Sequence, residues 1–374
     1  LERKEMYALW EHLHANPEVS WEEKETSAYL IKFFEDHGFR PVPFASIPGF
    51  YVDVGNGSPK IGLRADMDAL LQEVNGQLQP NHSCGHDAHM AIVTAVMLRL
   101  KKVESKLSGT VRAIFQPAEE LGNGSVKVVE AGCVDDLDYL FGIHLRPQNE
   151  LPYPHCAPGI QHGGCVFIKG KINGADHHGA RPHEGVNAIE VGHAIQQQIK
   201  DIHTSPLVPA SIKMTNFHAG TENLNIIPGK ATFGLDVRAQ SNTVMDDIKK
   251  KLTRIFTHLE QIYKVPIDIE FVDDVPAAII HPEAEQIMGQ AIIKVLGNGN
   301  FVPAIETSGS DDFHFYTLLR PDMKATMLAL GADVKPGLHH PNMTFKKEAM
   351  ENGVEILTTA CLLSLERNGE KRNN

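Results

Sequence analysis

The sequence predicts an α/β protein in which a mixed, largely parallel sheet is flanked by helices and interrupted by an inserted ferredoxin-like α+β domain. Three observations predict it. Short apolar runs that read as strands alternate with stretches of helical spacing, the pattern of a sheet joined by crossover helices. The polar groups Asp66/Asp68, Glu119/Glu120, His144 and His339 each follow the end of an apolar run. The middle of the chain changes to the order βαββαβ, that of a ferredoxin-like sandwich.

The elements follow in order. Residues 1–38 read as helical with a break at Asn16-Pro17, because the residue before a proline is pushed out of the helical region. KIGLRADMD (60–68) is an apolar strand entering an acidic turn, and AHMAIVTAVMLRLKKV (88–103) is a helix with a basic end, as a helix C-terminus prefers. GTVRAIF (109–115) ends in QPAEE, DYLFGI (138–143) ends at His144, and ATMLALG (325–331) leads to GLHHP. In the middle, CVFIKGKI (165–172), SIKMTNFHA (211–219), KATFGLDVR (230–238) and IDIEFVD (267–273) read as strands, with helices at 187–202 and 243–263. The boundaries are therefore 1–165 with 277–374 for the first domain and 166–276 for the insert. The tail NGEKRNN reads as disordered.

Composition narrows the function. The chain has 374 residues, 42% apolar and 22% charged. No apolar run approaches the roughly 20 residues needed to cross a bilayer. The first segment, LERKEMYALWEHLH, reads as an amphipathic helix rather than a signal-peptide core. Neither membrane nor nucleic acid is the expected partner: the net charge is −12, and no basic stripe is present to neutralise phosphates. Five cysteines without a CxxC pair suggest neither a disulfide framework nor a zinc ribbon, and a reducing, cytoplasmic setting fits them. Twenty histidines favour metal chemistry.

The stretch NHSCGHDAHM (81–90) concentrates that question in Cys84. A nucleophilic cysteine needs a base, which His86 or His89 could supply, and an oxyanion hole. A redox cysteine needs a resolving partner, and none is near in sequence. A metal ligand needs further donors, which Glu120, His144 and His339 offer. In open α/β sheets ligands bind at the carboxyl ends of strands, so these groups can converge. Cys84 and His86 lie just before a helix, whose N-terminus favours a thiolate.

HSCGHDAH resembles the CGHD motif of the di-metal aminoacylase and carboxypeptidase family, in the branch of hippurate hydrolase and the indole-acetyl-amino-acid hydrolases. LHANPEVS (13–20), RADMDAL (64–70), QPAEE (116–120), GIHLRP (142–147) and LHHP (338–341) match the same branch in order. HHGARPH (177–183), NIIP (225–228) and DVR (236–238) match in the insert, and SDDF (310–313) is similar to the family's EDF motif. Within the branch the motifs resemble those of an AmhX-type amidohydrolase. The resemblance implies a metal-dependent exopeptidase-like catalytic domain and an inserted lid, which is also the candidate surface for a homodimer.

The resemblance further implies roles. Cys84, His86, Glu120, His144 and His339 match the ligands of two divalent ions, with manganese, zinc and cobalt left open by the mixed S/N/O donors. Glu119 matches the general base. Adjacent side chains on an extended segment point to opposite sides, so a bent backbone after Pro117 is required for both glutamates to face the metals. Asp68, with Asp66, is expected to orient a ligand histidine, although Asp66 also suits a turn cap. His178 matches the residue that stabilises the oxyanion, and Asn225 and Arg238 match positions for the substrate carboxylate. His14 suits capping of the first helix as well as a site role; His82, His89, His177, His183 and His340 read as hydrogen-bonded neighbours, with His340 the rival to His339. Leu71 and Arg146 depart from the branch's usual residues and bear on the acyl pocket.

The expected activity is hydrolysis of the amide bond of a small N-acyl amino acid. A dipeptidase or carboxypeptidase with the same site is the alternative, followed by a non-catalytic metal-binding relative and a cysteine amidase.

Overall fold

The structure is a computed structural model that describes residues 2–372, without the side chains of residues 2 and 368–372. The chain forms two units. The first comprises Leu1–Gln161, Ile279–Glu306 and Asp311–Asn374, and the second His162–Ala278 with Thr307–Ser310.

In the first unit seven described strands form one sheet, in the order Val42–Pro43, Phe50–Gly55, Thr110–Gln116, Lys60–Asp66, Tyr139–Pro147, Lys324–Val334 and Cys156–Ala157. The middle four run parallel, and the edges pair antiparallel. Parallel strands end on the same side of a sheet, so the loops after Asp66, Gln116, Pro147 and Val334 leave from one edge. The helix His86–Lys101 is buried along nearly its whole length, packed against the sheet and against the helices Glu2–Ala15 and Ala349–Arg372. A helix covered on several sides has no need of a polar face, which explains its run of Ala, Ile, Val and Met. In the same core as this helix, Phe50 and Phe115 stack with centroids 4.6 Å apart, and Phe34 meets Phe115 edge-on at 5.5 Å.

Two local features differ from the sequence reading. The strand expected to stop before His144 runs through Pro147, and His144 pairs with Ala329 inside the sheet. Leu145 continues the apolar pattern and is fully buried, so nothing ends the strand at the histidine. The tail expected to be disordered is taken up through Arg372 by the last helix, Ala349–Arg372; residues 373–374 lie outside the described residues.

The turn after Thr110–Gln116 provides the bend that two neighbouring glutamates need. Ala118 has φ +53°, the left-handed region that non-glycine residues rarely adopt. Its carbonyl accepts the Gly124 N–H at 3.2 Å. A Cβ at Gly124 would lie 1.7 Å from the Pro117 carbonyl oxygen, so only glycine lets the helix Gly124–Glu130 start against this turn.

The second unit is a four-stranded antiparallel sheet in the order Ala210–Ala219, Lys230–Ala239, Gly164–Asn173 and Ile267–Val275. That is the strand order of a ferredoxin-like sandwich. The helices Ala188–Lys200 and Asn242–Tyr263 cover one face through Val166, Ile168, Val237, Ile195, Leu252 and Phe256. Residues on the opposite face, including Phe167 and Lys169, are exposed. A separate ribbon pairs His177–His178 with Ile226–Ile227. No helix among the described residues is long and apolar enough to cross a membrane.

Candidate metal centre

Cys84, His86, Glu119, Glu120, His144 and His339 come together at the carboxyl edge of the first unit's sheet. Cys84 precedes Gly85, whose φ of +91° turns the chain into the helix that begins at His86. Three groups of donor atoms lie within 4.8 Å of one another: Cys84, His86 and His144; Cys84, Glu120 and His339; and His86, Glu119 and Glu120. The His86 Nε2 is 3.8 Å from both Glu119 Oε2 and Glu120 Oε1. The His339 Nε2 is 3.4 Å from Glu120 Oε2, and the Cys84 Sγ is 3.5 Å from His144 Nε2.

These donors fit divalent cations. His86 Nε2 and Glu120 Oε1 are buried with no hydrogen-bond partner among the described residues. Leaving such groups unsatisfied is costly, and a cation would satisfy both. Nitrogen, oxygen and sulfur ligands sit about 2.0–2.3 Å from a zinc-like ion, so two of them at a tetrahedral angle stand roughly 3.3–3.8 Å apart. The spacings here match that. The far ring nitrogens agree: His86 Nδ1 is 2.8 Å from the Asp68 carbonyl oxygen, and His144 Nδ1 is 2.8 Å from that of Leu145. A carbonyl only accepts, so each Nδ1 carries the proton and each Nε2 offers its lone pair to the cluster.

Asp68 organises the glutamates as well as His86. Its Oδ1 accepts the Glu119 N–H and its Oδ2 the Glu120 N–H, both at 3.0 Å, and the Ser20 hydroxyl donates to Oδ2 at 2.6 Å. Burial works against this carboxylate, but the His86 ring, Ser20 and the Glu120 N–H hold it ionised, with its pKa below the usual range. Asp66 does not orient a metal-facing histidine. Its Oδ1 takes the His89 Nδ1–H at 2.7 Å, and its Oδ2 pairs with Arg64. The other His89 nitrogen accepts the Leu145 N–H at 3.1 Å, so both ring nitrogens of His89 are used within the framework.

Burial raises the pKa of both Glu119 and Cys84. Burial pushes the Glu119 carboxyl well above the carboxylate range, and the Asp311, Glu120 and Asp312 charges add to it. Burial likewise drives the Cys84 thiol up, with Glu120 adding and His86 opposing. The helix N-terminus therefore does not make Cys84 a free thiolate, contrary to the expectation from its position. A buried thiol with a raised pKa is a poor unaided nucleophile, and a cation is what would ionise it.

Several residues surround the cluster without belonging to it. Arg64 is fully buried; its Nη2 donates to Asp312 at 2.8 Å and its Nε to Gln116 at 2.9 Å. The alternation of Arg64 and Asp66 on one strand was the available signal, since i and i+2 share a face. Glu23 is also buried, and its Oε1 accepts the Ala118 N–H at 2.8 Å. His14 holds Asp87 at 2.7 Å. His82 differs from the hydrogen-bonded neighbour expected: neither ring nitrogen has a partner among the described residues. His340 is exposed, and its Nδ1 accepts the Asn342 N–H. Arg146 is buried and paired with Glu150, whereas Leu71 is exposed on the hairpin Leu70–Val74/Gln77–Asn81.

The remaining candidates belong to the second unit. His178 is exposed and pairs with Ile226 across the ribbon, which places it beside Asn225; its Nδ1 accepts the Ala180 N–H, leaving Nε2 as the outward atom. Arg238 stands on the open face of the four-stranded sheet. Its Nε donates to Asp236 at 2.7 Å, and its guanidinium lies 5.6 Å from the Phe167 ring centre.

Residues 62–362 match the profile of peptidase family M20/M25/M40. The chain is 29% identical to the IAA-amino acid hydrolase ILR1-like 4 of Arabidopsis thaliana, over 99% of this chain and 88% of that protein. It is 30% identical to thermostable carboxypeptidase 1 of Saccharolobus solfataricus, over 89% of this chain and 88% of that protein. Its fold is similar to the crystal structure of the YXEP protein of Bacillus subtilis, described as a dinuclear metal-binding peptidase, with a TM-score of 0.83, 23% identity and 98% of each chain covered.

Glu23 provides a pH test of the turn behind the glutamates. Burial, with Asp68 and Glu18 adding, pushes its carboxyl up to about 8, whereas an unfolded glutamate titrates near ~4.3. The folded state thus holds a proton that the unfolded state releases. The stability this contributes is complete below ~4.3 and is lost as pH rises through about 8. Glu23→Gln cannot ionise. Its stability relative to wild type, read from urea unfolding at pH 5, 7 and 9, is expected to rise with pH; parallel wild-type and variant curves would refute the assignment.

Proposed function

This chain belongs to peptidase family M20/M25/M40 and is a hydrolase, and from its donor cluster we propose that it cleaves the amide bond of N-acyl amino acids with two bound divalent ions. The single observation that carries this is the convergence of Cys84, His86, Glu120, His144 and His339 around buried donor atoms with no protein partner. With ionised sulfur and carboxylate and three neutral imidazoles, this shell carries two negative charges, which suits a pair of divalent cations. When bound, the ions supply Lewis acidity, which polarises the amide carbonyl and acidifies the attacking water.

Glu119 is the base. Its backbone is held by Asp68 Oδ1, and its Oε2 lies 3.8 Å from His86 Nε2, so it stands beside the ligands without being needed as one. It takes the proton of the attacking water and delivers it to the leaving nitrogen. One carboxyl can serve both halves of this transfer, first as base and then as acid. From the second unit, His178 offers an Nε2–H to the developing oxyanion, and Asn225 and Arg238 bind the substrate carboxylate. This reading of the substrate is supported by the similarity to a hydrolase of IAA-amino acid conjugates and by an arginine fork with donors beyond those held by Asp236. A second copy would pair through the second unit, whose edge strand Ala210–Ala219 presents unpaired backbone groups.

Three outcomes test the reading. Glu119→Gln keeps the shape and removes the proton acceptor; kcat is expected to fall by ~10²- to 10⁴-fold with metal content unchanged, and a variant retaining most of its turnover would move the base elsewhere. Arg238→Ala should lower kcat/KM for an N-acyl amino acid far more than for the matching C-terminal amide, by roughly 1–3 kcal/mol of lost charged hydrogen bonding. Equal losses on both substrates would remove Arg238 from carboxylate recognition. Sedimentation of the purified chain should give twice the monomer mass, reduced to one by a proline at an outward backbone position of Ala210–Ala219; a wild-type monomer would exclude the pairing.

A further inference from the structure

His339 is the least enclosed of the proposed ligands, with a side chain 53% exposed. With the ring half exposed and Glu120 Oε2 3.4 Å from its Nε2, the backbone carries much of the task of aiming it. That backbone is itself unfavourable: His339 has φ +63°, in the left-handed region, which persists in a β-carbon residue only when its surroundings over-determine it.

Two hydrogen bonds do so. The His339 N–H donates to the Ser83 carbonyl at 2.7 Å. The His339 carbonyl accepts from the Gln72 side-chain amide, Nε2, at 2.7 Å. The other end of that amide is equally engaged. Gln72 Oε1 accepts the Ser83 hydroxyl at 2.8 Å and the Asn81 amide at 3.1 Å, and Asn81 also donates to the Pro341 carbonyl at 3.0 Å. One side-chain amide thus joins two segments that come from distant parts of the chain, Ser83-Cys84 and His339–Pro341. The hairpin geometry explains why Gln72 can do this: Leu71 and Glu73 on either side of it are exposed, so Gln72 points to the opposite, inner face.

Resting on the reading of a two-ion centre above, we propose that Gln72 is a positioning residue, which locks the left-handed backbone of His339 and so sets the affinity of the centre for one of its two ions. It touches neither substrate nor metal and acts through the His339 carbonyl. A glutamine is suited to the task because it offers a donor and an acceptor at the same time, one for each segment.

Gln72→Glu separates the two ends. It keeps an acceptor for Ser83 and Asn81 but sets an oxygen against the His339 carbonyl. The probe is cobalt(II) alone, titrated into the metal-free full chain and followed by calorimetry and by the thiolate-to-cobalt absorption of Cys84. Wild type is expected to take up two equivalents. In Gln72→Glu one equivalent should weaken by about 10- to 100-fold, the range for loss of an outer partner of a metal ligand, while the other is unchanged. Excess cobalt should restore kcat, which a variant damaged only in its folding would not show. Gln72→Asn, whose amide ends one methylene short of the His339 carbonyl, should give the same split and serves if the glutamate variant fails to fold. Glu73→Gln, on the outer face of the hairpin, should match wild type. Two equivalents of unaltered affinity in both Gln72 variants would overturn the role of Gln72 and leave the two-ion reading standing. A wild-type chain that binds no cobalt would overturn both.

Discussion

Asp68 is the residue on which the centre's geometry depends. Its carboxylate takes the N–H groups of Glu119 and Glu120, and its own carbonyl takes the Nδ1–H of His86. One residue therefore sets the backbones of Glu119 and Glu120 and the tautomer of His86. The arrangement only works with an anion at this position. Backbone donors and the Ser20 hydroxyl all point at it, and a carboxylate is the side chain that accepts from every direction. Charged acceptors also make the stronger bonds, about twice as strong as neutral ones.

The turn that carries the glutamates is held from both sides. Asp68 engages the residues after Ala118, and Glu23 engages Ala118 itself. Below it lies a second polar layer, in which Arg64 joins Asp66, Gln116 and Asp312, and Asp312 in turn accepts the Ser125 N–H. Burying these charges is costly unless they are paired and hydrogen-bonded. Here Arg64 meets carboxylates on two sides, and burial still pushes the Asp312 carboxyl up to about 7. The layer lies under Glu119, and the Asp312 charge within it adds to the burial that raises the Glu119 carboxyl. Structure and proton affinity come from the same residues.

The second unit divides its work by face. Its helices bury one side of the sheet through Val237 and its neighbours, and alternation along a strand then sends Asp236 and Arg238 to the other side. The Asp236 carboxylate and the Phe167 ring limit the freedom of the Arg238 side chain, which leaves it less entropy to lose on making further contacts. His178 and Asn225 belong to a separate ribbon of the same unit.

By itself the sequence determined the alternation of strands and helices, the ferredoxin-like order of the second unit and the residue types of the donor cluster. These are carried by apolar periodicity and by compact motifs such as CGHD, where chemistry and local conformation are written in neighbouring positions. It also demanded a bent backbone after Pro117, and Ala118 supplies it. It could not place the end of the strand at His144, because a polar residue inside an apolar run reads as a stop until a neighbouring strand is seen to pair with it. It misjudged the state of Cys84 for a related reason. Proximity to a helix start is local, but the burial and the Glu120 charge that raise the thiol come from the packed structure. Arg64 with Asp312, Glu23 with Ala118 and Gln72 with His339 are joined across 248, 95 and 267 positions. Only the tertiary structure decides such contacts, because a hydrogen bond between distant segments depends on where the sheet and its loops bring them and leaves no periodic trace along the chain.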